Sequence, residues 1–403
     1  MVDVYSKALD STVSVNRIIS EIHGKEKGPT IIFFGGVHGN EVSGIFALYK
    51  TLNKLKENNI EIKGSIYAIS GNLKALKTGQ RYVDNDLNRL WTFDRIYNNT
   101  SESLSAEEQE QGEILHLIED IIYKNQPPFY FIDIHSTSSK SIPFITINDA
   151  LINRRFSELF PVPIVLGIEE YLDGPLLSYI NQLGFVSLGI EVGQHDEEES
   201  IINAEAFINL ALVYTRSVKT KDIVGFRVYF KLLKEHCKGN CSFFEVVHRE
   251  EITAQDKFKM NDEFYSFEEI KKGQLLAHKN DRPVNAKEKG LIFMPLYQKQ
   301  GEEGFFIIQK INPFFLKLST ILRKLKFYNL LAILPGVKWK NKTHGILEAN
   351  LKVARFFVKS ISHLLGFRTQ KIMNNRMVMY NREKVARTKD YRSVKWFLRK
   401  KAS

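Results

Sequence analysis

Cysteine is nearly absent from this chain. Two residues, Cys237 and Cys241, are too few for a disulfide framework, and their spacing beside His236 lacks the second pair that a structural zinc knuckle needs. That usage fits a reduced, intracellular protein. Long apolar runs are missing too. No stretch approaches ~18 consecutive apolar residues, which excludes a transmembrane helix, and the opening MVDVYSKALDSTVSVN has no apolar core of signal-peptide length. A cytoplasmic location is the expectation. Internal repeats and low-complexity linkers are also lacking. Acidic residues are scarce in one region only: residues 311–403 carry 22 Lys or Arg against 3 Asp or Glu, a balance of +19. Residues 1–310 carry 35 against 43, so the net +11 of the whole chain belongs to its tail.

What is present is an ordinary globular composition, 43% hydrophobic and 26% charged, in 403 residues, enough for two or three domains and outside the disordered class. From Thr30 to about Lys219, apolar β-type runs alternate with helical periodicity. Strands are expected over 30–34, 65–70, 129–134, 143–147, 163–166 and 185–191, with amphipathic helices over 42–56, 106–123, 174–183 and 201–218. This alternation predicts a mixed or largely parallel sheet covered by helices on both faces, whose ligands bind beyond the carboxyl ends of the strands. An α/β domain over 1–221 is followed by a small β domain over 222–311, where short runs are broken by glycines. A basic, mostly helical extension occupies 312–403, with apolar residues at helical spacing such as Phe314, Leu318, Ile321 and Leu325, then Leu347, Leu351, Ala354 and Val358.

Three stretches carry the chemistry. In FFGGVHGNEVSG, a buried strand ends in two glycines, and His38 and Glu41 follow three residues apart where a helix starts, so both can face one ion. They form two-thirds of the His2Glu set that holds a catalytic zinc while leaving a position open. His135 is the best candidate for the third ligand, because FYFIDI reads as another buried strand that ends there. In RYVDNDLNRLW, Arg81 and Arg89, with Asn88 beside the second, suit gripping a carboxylate and polarising a carbonyl. In SLGIEVG, Glu191 ends an apolar strand between glycines. Burying that carboxylate without a partner costs several kcal/mol, so a proton-transfer role near a metal is its natural use.

Together the motifs GGVHGNE, RYVDNDLNR, DIHSTSS and GIEVG, in this order, resemble the succinylglutamate desuccinylase and aspartoacylase family, relatives of the zinc carboxypeptidases. The resemblance runs from about residue 25 to 310. It implies a carboxypeptidase-like α/β domain followed by a β domain at the pocket mouth. It also implies one zinc ion per chain on His38, Glu41 and His135, and Glu191 as general acid/base. Arg81 would match the residue that polarises the scissile carbonyl, and Asn88 and Arg89 those that hold the substrate carboxylate. Two departures stand out. Where aspartoacylases carry an arginine about ten residues before the catalytic glutamate, a gap-free match puts Asn181, and the place of their β-domain tyrosine falls around Gly304 and Phe305. Both changes weaken recognition of a dicarboxylate.

The expected function is therefore a zinc-dependent hydrolase that cleaves the amide, or an ester, of a small N-acylated substrate. A carboxypeptidase acting on a peptide or cell-wall fragment shares the same residue set, and a non-catalytic tethering protein is the reading suggested by the tail alone. For that tail, a helical annex whose apolar faces pack on each other or on the β domain and a basic amphipathic surface for an anionic membrane are the two readings. Nucleic acid is not an expected partner, since no recognised reading motif is present.

Overall fold

A computed structural model describes residues 1–98, 103–261, 263–354, 358–373 and 375–398. Its centre is an eleven-stranded mixed sheet. The middle strands Glu26–Gly35, Phe129–Thr137 and Val186–Gln194 run parallel to one another, in the order 63–70, 26–35, 129–137, 186–194. They read as near-continuous apolar runs because helices cover both of their faces. Every residue from Phe129 to Thr137 is buried. On one face lie the helices Ser43–Glu57 and Glu198–Tyr214, packed against each other. The helices Ala106–Lys124 and Leu176–Gln182 contribute to a second apolar cluster with Ile32, Phe34 and Phe131 from the other face of the strands. The strands and helices expected between residues 30 and 218 are all present, with ends shifted by a few residues.

Residues 222–311 open on a helix, Phe226–His236, which packs on Glu198–Tyr214. The chain then lengthens the central sheet: Phe243–Glu251 pairs parallel with Ile164–Leu166, and Glu303–Lys310, Gly290–Phe293 and Glu269–Ile270 follow antiparallel. A separate three-stranded sheet, 258–260, 275–279 and 282–285, covers this part. The first 23 residues, for which no structure was expected, form a hairpin (Val2–Ser6 with Ser11–Val15) and the edge strand Ile18–His23.

The extension is less helical than its leucine spacing suggests. Pro313–Lys324 is a helix, capped by the Asn312 side chain on Phe314 N–H. The segment around Leu347–Val358, whose apolar residues stand at helical spacing, instead begins with the strand Ile346–Asn350. It belongs to a four-stranded antiparallel sheet ordered 337–341, 346–350, 376–381, 367–373. Only Val358–Leu364 is helical, and residues 355–357 lie outside the described residues. The physical reason is burial with a period of two, Leu347 and Ala349 facing the core of the new sheet. Ile346 and Glu348 are less buried than these two.

The extension is joined to the α/β core through buried polar contacts. Asp149, fully buried, receives Nη2 of Arg154 at 2.8 Å, of Arg323 at 2.8 Å and of Arg368 at 2.7 Å. Burial alone would raise its pKa, but the three guanidinium groups prevail and hold the carboxyl well below its usual range. The Tyr391 hydroxyl accepts Val186 N–H at 2.9 Å and donates to Phe129 C=O at 2.5 Å, bridging the starts of two central strands. Trp396 Nε1 donates to Tyr130 Oη at 3.1 Å. Among the described residues no helix is long and apolar enough to cross a membrane.

Candidate active site

The strand Glu26–Gly35 delivers the first two side chains. It stops at Gly35–Gly36, where Gly36 has φ +66° and a Cβ would lie 2.9 Å from the Leu76 side chain. His38 and Glu41 then occupy a turn closed by Glu41 N–H on His38 C=O at 3.1 Å, and the helix begins only at Ser43. The three-residue spacing thus brings both side chains together on a turn and not, as expected, on a helix face. His38 Nδ1 lies 2.8 Å from Glu41 Oε1, and His135 Nδ1, from the end of the 129–137 strand, lies 2.9 Å from Glu41 Oε2. One ligand atom from each of the three residues falls within 4.8 Å of the others, and all three residues are buried.

The far nitrogens of both rings are fixed by carboxylates. His38 Nε2 meets Asp86 Oδ1 at 3.1 Å and His135 Nε2 meets Asp133 Oδ2 at 2.7 Å. Each imidazole is thereby oriented with its Nδ1 toward Glu41, the carboxylate–histidine arrangement that supports metal ligands. Burial disfavours a charged ring at His135, yet Asp133 and Glu41 outweigh it and hold its pKa well above the usual value. Carboxylates that attract a proton to this place attract a cation equally, and the donor set of two imidazoles and a carboxylate suits zinc. The residues present therefore fit a zinc ion.

Glu191 sits beside His135 across the parallel pair of strands 129–137 and 186–194. It is buried, and its Oε2 has no hydrogen-bond partner. Burial pushes its pKa up to about 8; Glu41 and Asp133 push the same way, while His135 and Arg81 oppose.

The loop 81–89 is clamped from below. The buried carboxylate of Glu107, in the first turn of Ala106–Lys124, accepts backbone N–H from Val83 at 2.7 Å and from Asp84 and Asn85 at 3.0 Å. Arg81 is held to Asp86 Oδ2 by Nη2 at 3.0 Å and reaches Glu41 Oε1 by Nη1 at 3.5 Å. Burial would lower its pKa, but Asp86 and Glu41 raise it, so it stays charged.

Asn88 and Arg89 line the same cavity, but each already has a partner within the protein. Asn88 Oδ1 accepts Leu176 N–H at 2.9 Å. Arg89 Nη2 is 2.9 Å from Glu303 Oε2, and Glu302 stands 3.6 Å from its Nε. A guanidinium expected to grip a substrate carboxylate is thus gripping one of the protein's own.

The two departures fall differently from the expectation. Asn181 is buried in the helix Leu176–Gln182 away from the cavity, whose wall on this side is made by Leu177 and Ser178. At the other place, Phe305 is fully buried in the β-layer core and a Cβ on Gly304 would strike the Phe258 ring at 2.4 Å. A β-bulge at Gly304, where Glu251 pairs with Glu303 and Glu250 with Phe305, breaks the alternation of the strand, and Glu303 and Phe306 both line the cavity instead.

Sequence reasoning also passed over Asp86, Asp133, Glu107 and His195. Asp133 was findable, since it lies two residues before His135 on one strand and so shares its face. His195 lines the cavity with Nδ1 2.8 Å from Ser136 Oγ and Nε2 3.3 Å from Gln298 Oε1, and burial lowers its pKa.

Comparison with known proteins gives the same family as the motifs. Residues 27–212 match the model of the succinylglutamate desuccinylase/aspartoacylase catalytic domain. A probable aspartoacylase of Acaryochloris marina is 28% identical over 169 residues, and the aspartoacylase of Rattus norvegicus 29% over 178; each match takes in 40% of this chain and 54% of the relative. The chain therefore spans about half the length of these curated relatives. The crystal structure of a succinylglutamate desuccinylase/aspartoacylase from Rhodobacter sphaeroides superposes with a TM-score of 0.55 at 15% identity, over 77% of this chain and 93% of that one, a likeness of fold. By motifs, family model and curated relatives alike, residues 27–212 match the catalytic domain of the succinylglutamate desuccinylase/aspartoacylase family.

Proposed function

We propose that this protein is a zinc-dependent amidohydrolase that removes the acyl group from a small N-acylated amino acid or related amide. The observation that carries the reading is the buried His38–Glu41–His135 group with the unpartnered carboxyl oxygen of Glu191 on the adjoining strand. His38, Glu41 and His135 would hold the ion. When bound, zinc supplies Lewis acidity toward a carbonyl oxygen and toward water.

The rest is done by side chains of this chain. Glu191 takes a proton from the attacking water as the new C–O bond forms at the carbonyl carbon. It returns that proton to the nitrogen as the C–N bond breaks, leaving a carboxylic acid and a free amine. A carboxyl whose pKa burial moves toward neutrality suits both halves of this exchange. Arg81, kept charged and pinned by Asp86, meets the oxygen on which negative charge collects, a contribution of roughly 10²–10³ in rate for a single donor of this kind. Asp86 and Asp133 act through the histidines they orient.

The finer substrate reading rests on Arg89. With its fork on Glu303, the cavity offers that side of the substrate a neutralised pair, so neutral N-acyl amino acids are expected to outperform N-acetylaspartate and N-succinylglutamate. The test is metal analysis of purified protein, then release of amine from a panel of N-acyl amino acids and short peptides. One zinc per chain is expected, lost in His38→Ala with the fold retained. Glu191→Gln is expected to keep zinc and lose about 10²–10⁴ in turnover. A protein without zinc, or a Glu191→Gln variant of undiminished activity, would overturn the proposal; peptides turned over in preference to acyl amino acids would move it to the carboxypeptidases.

A further inference from the structure

The helix Pro313–Lys324 buries polar groups while leaving large apolar ones in solvent. Its polar side faces the protein: Ser319 donates to Leu364 C=O at 2.8 Å, and Arg323, with a side chain wholly removed from solvent, reaches Asp149. Leu316 and Leu322 also pack inward, but the remaining apolar side chains face away. Phe314, Phe315, Ile321 and Leu325 are each more than half exposed, and the following 3-10 turn adds Leu330 and Ile333, the latter 77% exposed. Single exposed apolar residues are normal on any surface, but six within twenty positions form a patch that calls for a partner.

The charge around the patch says which partner. Residues 312–346 contain seven Lys or Arg and no Asp or Glu. Lys317, Lys324 and Lys326, interspersed with the apolar residues along this stretch, are exposed. A second copy of this chain is a poor occupant, because a two-fold contact would lay each basic patch on its own image, Lys against Lys. A purely electrostatic partner such as nucleic acid would leave the apolar side chains in water. We propose that this surface docks on an anionic lipid membrane, with the phenylalanines and leucines entering the interfacial layer and the lysines at headgroup level. A helix of 12 residues is about 18 Å long, short of the ~30 Å hydrocarbon thickness, so it lies along the interface and does not span.

The proposal is independent of the hydrolase reading and is tested on the full chain, since truncation at residue 311 would also remove Arg323, Tyr391 and Trp396 from the core. The purified protein is sedimented with vesicles of phosphatidylcholine alone or mixed equally with phosphatidylglycerol, at ~0.02 M and ~0.5 M salt. Binding to the anionic vesicles at low salt, weakened at high salt and by about fivefold for each of Lys317→Gln, Lys324→Gln and Lys326→Gln, is the expected result. The triple variant Phe314→Ser, Phe315→Ser, Leu325→Ser, all at exposed positions, is expected to keep the thermal midpoint and to lose at least about tenfold in partitioning. Failure of the unaltered protein to sediment at low salt overturns the proposal, as does undiminished binding by the serine variant. Dimerisation through these phenylalanines without vesicle binding would assign the patch to a second copy instead.

Discussion

Replacing Glu303 by Gln should change what the cavity accepts. The Arg89–Glu303 contact is a short charge-assisted hydrogen bond, 2.9 Å between Nη2 and Oε2, with side chains only 12% and 11% exposed, so solvent screens it little. Such a bond is worth about 1.5–3 kcal/mol, or roughly 10- to 150-fold in an equilibrium. Glu303 also serves Arg249 at 3.4 Å, which divides its charge between two cations, so the lower part of that range applies to Arg89. A substrate carboxylate entering the present site must displace Glu303 and lose that amount; in Glu303→Gln it meets a guanidinium with no fixed counter-charge at Oε2. We therefore expect kcat/KM for N-acetylaspartate, divided by that for N-acetylalanine, to rise about 10- to 30-fold, mostly through KM, because the interaction is with a charge present in the ground state. Steady-state kinetics on the two substrates measures it. An unchanged ratio would mean that Arg89 does not face the substrate, and the reading of the cavity as neutralised would fail.

Asp149→Asn leaves Arg154, Arg323 and Arg368 around a group that no longer balances them, and is expected to destabilise by about 3–5 kcal/mol in chemical denaturation. Because the folded carboxyl is held below its usual pKa, its contribution is present above the unfolded value of ~3.9 and is lost as pH falls through the folded one; the gap between wild type and variant should be full at neutral pH and close only in strong acid. A gap that already closes at pH 6 would contradict this. Tyr391→Phe strands Val186 N–H and Phe129 C=O in the interior and should cost about 1–3 kcal/mol, measured as a lower denaturation midpoint at unchanged m-value; an unaltered midpoint would show the bridge to be dispensable. Arg81→Lys should lower kcat far more than it raises KM, since its task is charge that develops only in the transition state, and equal effects on both constants would remove that role.

How much of this was legible in the sequence depended on the distance over which the information acts. The central strands announce themselves because burial on both faces leaves an unbroken apolar run such as FYFIDI, and a ligand at the end of such a run is marked by its polarity. His38, Glu41, His135 and Glu191 were visible for that reason. Partners set by tertiary structure were not. Glu303 lies 214 residues from Arg89, and nothing in either segment records that the two meet. The same holds for Asp149 and the arginines of the extension. Where two periods competed, the wrong one was read: Leu347, Leu351, Ala354 and Val358 repeat every three or four residues, yet Leu347 and Ala349, two apart, are the pair that the sheet buries. A gap-free register likewise pointed to Asn181, which lies off the cavity that Leu177 and Ser178 line.

The contacts of Tyr391 and Trp396 also set the order in which the molecule can be made. The strands they secure, beginning at Phe129 and Val186, leave the ribosome long before residue 391 is added. At ~5–20 residues per second, translation from residue 212 to 391 lasts roughly 10–35 s. For that interval Tyr130 and Phe156 lack the Trp396 ring that packs on them in the folded chain. The packing of these strands is therefore completed late in synthesis, and a chain that stops before residue 391 leaves their buried backbone groups without the Tyr391 hydroxyl.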